Sequence, residues 1–160
     1  MSVPAGEVRT PGDTVWIGGK EHAWCLPLDV RALRQALAGM LCAARRYSTS
    51  APSCVELMLV RDGDMACCNS DAMGCVGPTN ILSFPPGDAE QGGLEASDNM
   101  PDMPGSLILS VDAVWREAFL FRQEPQEHLL RLLAHGMGHL CGLDHGPEMD
   151  SLCDNILNSQ

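Results

Sequence analysis

The sequence predicts a single α+β domain, a mixed sheet of about four strands packed with several helices, with a three-histidine metal site on a C-terminal helix and the turn after it. Three observations carry that expectation. The chain has 160 residues, 45% of them hydrophobic, which is enough for one sizeable core. Short apolar runs bounded by turn residues recur at CVELMLV (54–60), TNILSFP (79–85) and GSLILSV (105–111), as strands do. Two segments, LDVRALRQALAGMLCAARR (28–46) and PQEHLLRLLAHGMGHLCG (125–142), carry apolar residues three and four apart, as helices do.

Taken in order, residues 1–26 are punctuated by glycine and proline and read as a loose arm or one early strand. In 28–46 the apolar side is Val30, Leu33, Leu37, Met40, Leu41 and Ala44; Asp29 suits the N-cap, and Arg45 and Arg46 suit the C-terminal dipole. RDGD (61–64) reads as a turn after the first long strand, and 64–73 as a short helix capped by Asp64 and stopped at Gly74. Pro85 and Pro86 end the next strand. Residues 86–104 are acidic and rich in Gly and Pro, an exposed loop within one domain spanning 1–160. After the strand at 105–111, Asp112 caps a helix running to Phe121. Pro125 opens the histidine-bearing helix, and Gly142 is its natural stop. A last short helix covers 148–158.

The net charge of −11 counts against indiscriminate nucleic-acid binding, and no DNA partner is expected. Eight cysteines contain no CxxC pair, so a zinc ribbon is not indicated and most of them read as small buried hydrophobes. The opening MSVPAGEVRT has no basic segment followed by an apolar one, and no apolar run approaches the roughly 20 residues of a membrane span. The expectation is a cytoplasmic protein with reduced thiols and no membrane partner.

The chemistry concentrates in HGMGHLCGLDH, residues 135–145. On a helix, residues four apart share a face, so His135 and His139 can meet one ion from adjacent turns. Gly142 lets the chain leave the helix and bring His145 to the same point. Three imidazoles leave one tetrahedral position open, the pattern of a catalytic zinc. An ion there would lower the pKa of water to about 7. Three imidazoles also suit nickel, copper or iron. His22 and His128 read as ordinary histidines, and Cys141 is left out of the site.

Gly136 and Gly138 each cost about 1 kcal/mol relative to Ala inside a helix. Either bare backbone there admits substrate, or a neighbouring element packs close. A zinc peptidase signature has glutamate directly after the first histidine as its base; here that residue is Gly136.

HGMGHLCGLDH resembles the histidine signature of the YbeY family, bacterial endoribonucleases of ribosomal RNA maturation. PTNILSFP (78–85) and GSLILS (105–110) resemble two strands of the same family, in the same order. The resemblance spans roughly residues 54–157 and implies an α+β sandwich in which His135, His139 and His145 bind one zinc ion. It implies metal-dependent hydrolysis of single-stranded RNA, in processing of the small-subunit ribosomal RNA 3′ end and in ribosome quality control, with the ribosome or ribosome-associated proteins as partners. The chain departs from the family pattern at three places: Met73 stands where an arginine is usual, Gly138 where a leucine is, and Ser106 where an aspartate is.

Charge to oppose a phosphorane has to come from somewhere besides the metal. Arg61, Arg116, Arg122 and Arg131 are the nearest arginines in sequence, and each reads equally well as a solvated helix or turn charge. Strand alternation puts Asn80, Leu82 and Phe84 on one face, and Ile81 and Ser83 on the other. Ser83 and Asp144 are candidates to hydrogen-bond a histidine ligand. No residue is assigned as general acid. Two other readings stand beside the nuclease: a zinc metallopeptidase, and a non-catalytic ribosome-assembly factor that keeps a zinc site.

Overall fold

The computed structural model describes residues 14–87 and 104–160. In chain order these form β1 (Val15–Gly18), a 3-10 helix (Lys20–Cys25), α1 (Val30–Tyr47), β2 (Val55–Val60), α2 (Asp62–Met73), β3 (Ile81–Phe84), β4 (Gly105–Ser110), α3 (Val111–Phe121), α4 (Pro125–Leu140) and α5 (Pro147–Leu157). The strands make one mixed sheet in the order β1-β2-β4-β3. β1, β2 and β4 run parallel, and β3 is the antiparallel edge, with Ile81 opposite Leu109 and Phe84 opposite Ser106. The expected α+β domain and its four strands are therefore present. The early strand is β1, and the 3-10 helix after it carried no periodicity to announce it. The loop expected over 86–104 lies outside the described residues except at its two ends.

Alternation along β2 sorts Val55, Leu57 and Leu59 to the buried side. They join Leu107 and Leu109 of β4 in one cluster with Leu33, Leu37 and Leu41 of α1, Leu129, Leu133 and Met137 of α4, and Leu152 and Ile156 of α5. The core is aliphatic. None of the seven aromatic side chains is among its buried residues: Trp16 and Phe84 are half-buried and the other five are exposed.

Helix starts follow local chemistry where it is available. Asp29 caps α1, its carboxylate accepting the Ala32 amide at 2.7 Å. Two of the expected caps are corrected. α3 is capped by the buried Ser110, whose hydroxyl accepts the Ala113 amide, and Asp112 sits in the first turn beyond it. α2 begins at Asp62, so RDGD is the helix's own first turn and Asp64 lies inside it. The acid at the start of α2 comes from α3 instead: Asp112 accepts the Asp62 amide and the Arg61 guanidinium, both at 2.9 Å. Asp62 in turn accepts the Ser110 hydroxyl at 2.7 Å and pairs with Arg116. Burial pushes the Asp112 carboxyl up, but the bonds from Arg61 and the Asp62 amide and the charges of Arg61 and Arg116 outweigh it, leaving the group below its ordinary value. This reciprocal clasp fixes α2 and α3 where β2 and β4 end.

Candidate metal centre

α4 is held between the sheet and α5, and its two glycines make that possible. Residues 136 and 138 lie roughly 200° apart around a helix, on opposite sides. A Cβ on Gly136 would stand 2.8 Å from Ile81 Cδ1 and 2.9 Å from Leu107 Cδ2. A Cβ on Gly138 would overlap the Met149 thioether of α5. Both glycines therefore serve close packing. Of the segment's glycines, it is Gly142 that borders the cleft over the histidines.

The end of α4 is a Schellman turn. The Gly142 amide bonds the His139 carbonyl at 2.9 Å, the Leu143 amide bonds the Gly138 carbonyl at 3.3 Å, and Gly142 takes φ 79°, in the left-handed region. The chain reverses there, and His145 returns over the helix face that carries His135 and His139.

The three rings converge through their Nε2 atoms. His135 Nε2 lies 3.2 Å from that of His139 and 3.3 Å from that of His145. Ligands about 2.0–2.1 Å from a tetrahedral zinc stand about 3.3 Å from one another, so the donors match such an ion in type and the two pairs made by His135 match it in spacing. His139 Nδ1 is 2.9 Å from the Leu143 carbonyl oxygen. A carbonyl only accepts, so Nδ1 carries the proton and the Nε2 lone pair faces the shared point. Burial, and then the neighbouring His139 and His145, push the His135 imidazole below its ordinary pKa, against a smaller opposing pull from Asp150; its neutral form is favoured. The three side chains can hold one metal ion.

A cleft of about 640 Å³ opens over this point, within the usual range for small-ligand sites. The histidines and the 142–145 turn form one side; Thr79, Asn80, Ile81, Leu82, Ser83 and Pro85 form the other, with Met73 also lining it. Ser83 and Asp144 both border the cleft, while the group that orients His139 is a backbone carbonyl, which residue type does not reveal. Met73 is well exposed at the cleft, so the side chain standing where the family usually has arginine borders the histidine site.

The arginines raised by the sequence are largely committed. Arg61 pairs with Asp112, Arg116 with Asp62, and Arg131 with Glu127 one turn away. His128 is a satisfied core histidine: its ring nitrogens lie 2.9 Å from Gln123 Oε1 and 2.9 Å from Glu117 Oε2. Glu117 also accepts the Asn80 amide at 3.2 Å. Through Glu117, α3 ties the β3 wall of the cleft to the helix that carries His135. Spacing along the chain carries no hint of that link, because Asn80 precedes β3, Glu117 is on α3 and His128 is on α4. All eight cysteines are free, and burial pushes the thiols of Cys141 and Cys153 up, Cys153 to about 11, which leaves both poor thiolate ligands.

A family model described as endoribonuclease YbeY matches residues 22–158. A protein named endoribonuclease YbeY from Nitratidesulfovibrio vulgaris is 46% identical over 138 residues, covering 81% of this chain and 83% of that one. Its namesake from Lawsonia intracellularis is 40% identical over 139 residues, covering 87% and 91%. The solution structure of a Thermotoga maritima protein superposes with a TM-score of 0.56 at 19% identity, over 91% of this chain and 86% of that one, and so shares the fold.

Proposed function

This chain belongs to the YbeY family of endoribonucleases, and from that premise we propose that it is a zinc-dependent enzyme that cuts single-stranded regions of ribosomal RNA. The proposed ligands are His135, His139 and His145. The observation that carries the reading is the convergence of the His139 and His145 Nε2 atoms on that of His135, beneath an open cleft. Held by these three histidines, a zinc ion would supply Lewis-acid chemistry toward water and toward the charge that develops on the phosphate oxygens. The protein's own part is positional. Leu143 fixes the His139 tautomer, Glu117 holds the β3 wall against α4, and Asn80, Ser83 and Thr79 offer polar groups to a phosphate or ribose.

A peptidase reading meets a steric obstacle. The base such an enzyme needs follows the first histidine, and at Gly136 even a Cβ runs into Ile81 and Leu107. Processing of the small-subunit 3′ end, ribosome quality control, contact with the ribosome or ribosome-associated proteins and a cytoplasmic setting belong to the same proposal. No helix among the described residues is long and apolar enough to cross a membrane.

The test is cleavage of a single-stranded ribosomal RNA fragment by the zinc-loaded protein, the chelated protein and His139→Ala. Cleavage is expected from the first alone. Equal cleavage by all three would remove the metal from the reaction. No cleavage by any, with one zinc bound, would leave a ribosome-assembly role.

A further inference from the structure

Asn80 directly precedes β3 and lines the cleft over the histidines, half-buried. Its side-chain Oδ1 accepts the Ile81 amide at 2.7 Å. Its Nδ2 donates to Glu117 of α3 and lies 3.2 Å from both carboxylate oxygens. Behind Glu117 stands His128 of α4, 6% exposed, with Nε2 2.9 Å from Glu117 Oε2.

These partners leave the Asn80 amide one orientation. A backbone N–H donates and a carboxylate accepts, so Oδ1 has to face Ile81 and Nδ2 has to face Glu117. The reversed amide would set oxygen against carboxylate and nitrogen against N–H. Its hydrogen-bonding capacity is not used up, however. The two oxygens of one carboxylate lie too close together to take one amide hydrogen each, so they share a single N–H. The second N–H has no partner among the described residues. Oδ1 has two lone pairs, and Ile81 takes one. Asn80 therefore keeps one donor and one acceptor, in a fixed orientation, on the wall of the cleft.

A group that both donates and accepts matches that pair. In single-stranded RNA the ribose 2′-hydroxyl does so. A phosphate oxygen accepts and does not donate, and it would bring its charge toward a carboxylate that lies 3.2 Å from Nδ2. A base edge offers donor–acceptor pairs too, but it lies on the far side of its sugar. The 2′-hydroxyl sits on the carbon next to the one that carries the 3′ phosphate. A phosphodiester held at the histidines brings that hydroxyl into the same cleft.

We propose that Asn80 binds the ribose 2′-hydroxyl beside the scissile phosphate and so lets the cleft tell RNA from DNA. Glu117 and His128 are its positioning residues. This assignment rests on the RNA-cleavage reading above and narrows it to one side chain and one hydroxyl.

The experiment compares two single-stranded ribosomal RNA oligonucleotides with the zinc-loaded chain. One is all ribose. The other carries a single 2′-deoxynucleotide on the 5′ side of the cleavage site mapped on the first. The intact chain should lose about tenfold in kcat/KM on the deoxy substrate, the worth of one hydrogen bond. Asn80→Ala should lose about tenfold on the ribose substrate and nothing further on the deoxy one. Glu117→Ala, which frees the amide without removing it, should lose part of the preference. Affinities read by anisotropy, on the same pair built with a non-cleavable linkage at the site, should follow the same pattern. A side chain that merely supports the fold would lower both substrates alike and keep the preference, so partial unfolding cannot imitate the result. Metal analysis checks that each variant still binds one zinc per chain. Equal cleavage of both substrates by the intact chain, or an undiminished preference in Asn80→Ala, overturns the assignment and leaves the RNA-cleavage reading in place. An undiminished preference in Glu117→Ala overturns the positioning role. An intact chain that does not cut the all-ribose RNA removes the cleavage reading and this assignment with it.

Discussion

His139 turns Nδ1 toward the carbonyl oxygen of Leu143, 2.9 Å away and four residues further along the chain. The same Schellman turn that ends α4 presents that carbonyl, so helix termination and ligand orientation are one piece of geometry. A metal held by His135, His139 and His145 clamps the turn to the helix, and binding becomes stability. Zinc at about a thousand times its dissociation constant contributes about 4 kcal/mol, or roughly 10 °C in Tm for a domain of this size. Calorimetry should show that rise in the intact chain and its absence in His139→Ala, with metal analysis giving one zinc per chain and close to none.

Gly136→Ala tests the fit of α4 on the sheet. The substitution gains about 1 kcal/mol in helix propensity and loses more by overlap with Ile81 and Leu107. The expected net loss is about 1–2 kcal/mol by urea denaturation. Ile81 also lines the cleft, so zinc affinity and RNA cleavage should fall with it. A variant as stable as the parent would mean the sheet yields more easily than the packing indicates.

Asp112→Asn tests the clasp between α2 and α3. In the fold Asp112 stays charged to lower pH than in the unfolded chain. Its contribution is therefore complete above the unfolded value of about 4, and is lost as pH falls through the folded value. Asparagine keeps an oxygen to accept the Asp62 amide but loses the charge that pairs with Arg61, so the variant should be less stable at neutral pH. That deficit should shrink on acidification, measured as urea midpoints at neutral and acidic pH.

Met73→Arg tests the cleft rim. The side chain is exposed and borders the histidine site, so an arginine there adds charge facing a bound phosphodiester. Cleavage of single-stranded RNA should rise about tenfold in kcat/KM, a modest share of what one charge-stabilising group can supply. The gain should be larger at low salt, where surface charges are least screened. An unchanged rate would place the scissile phosphate away from residue 73.

The histidine cluster was legible because its intervals are helical: four residues between His135 and His139, then a glycine able to reverse the chain. The strands at 54–60, 79–85 and 105–111 were legible because runs of buried apolar residues ended at turn residues. What stayed hidden depends on groups without a local pattern. The Leu143 carbonyl is backbone, present at every position of every chain. The acid at the start of α2 is contributed by Asp112, fifty residues away. Asp64 has the right residue type for a cap but sits two residues inside the helix. Glu117 reads as one more acid until Asn80 and His128 are brought to it by three different elements. Gly136 and Gly138 signalled that something approaches the helix, and only the packing shows that the sheet and α5 do so.

The aliphatic core carries an experimental consequence. Its buried contacts involve leucine, valine, alanine, isoleucine and methionine, groups with almost no near-ultraviolet signal, while two of the three tryptophans face water. Intrinsic fluorescence should follow melting of the core only through the half-buried Trp16, and should change noticeably when something settles on Trp24 or Trp115. An optical titration of this chain reports what touches its surface; whether its interior is packed must be read from backbone dichroism or heat capacity.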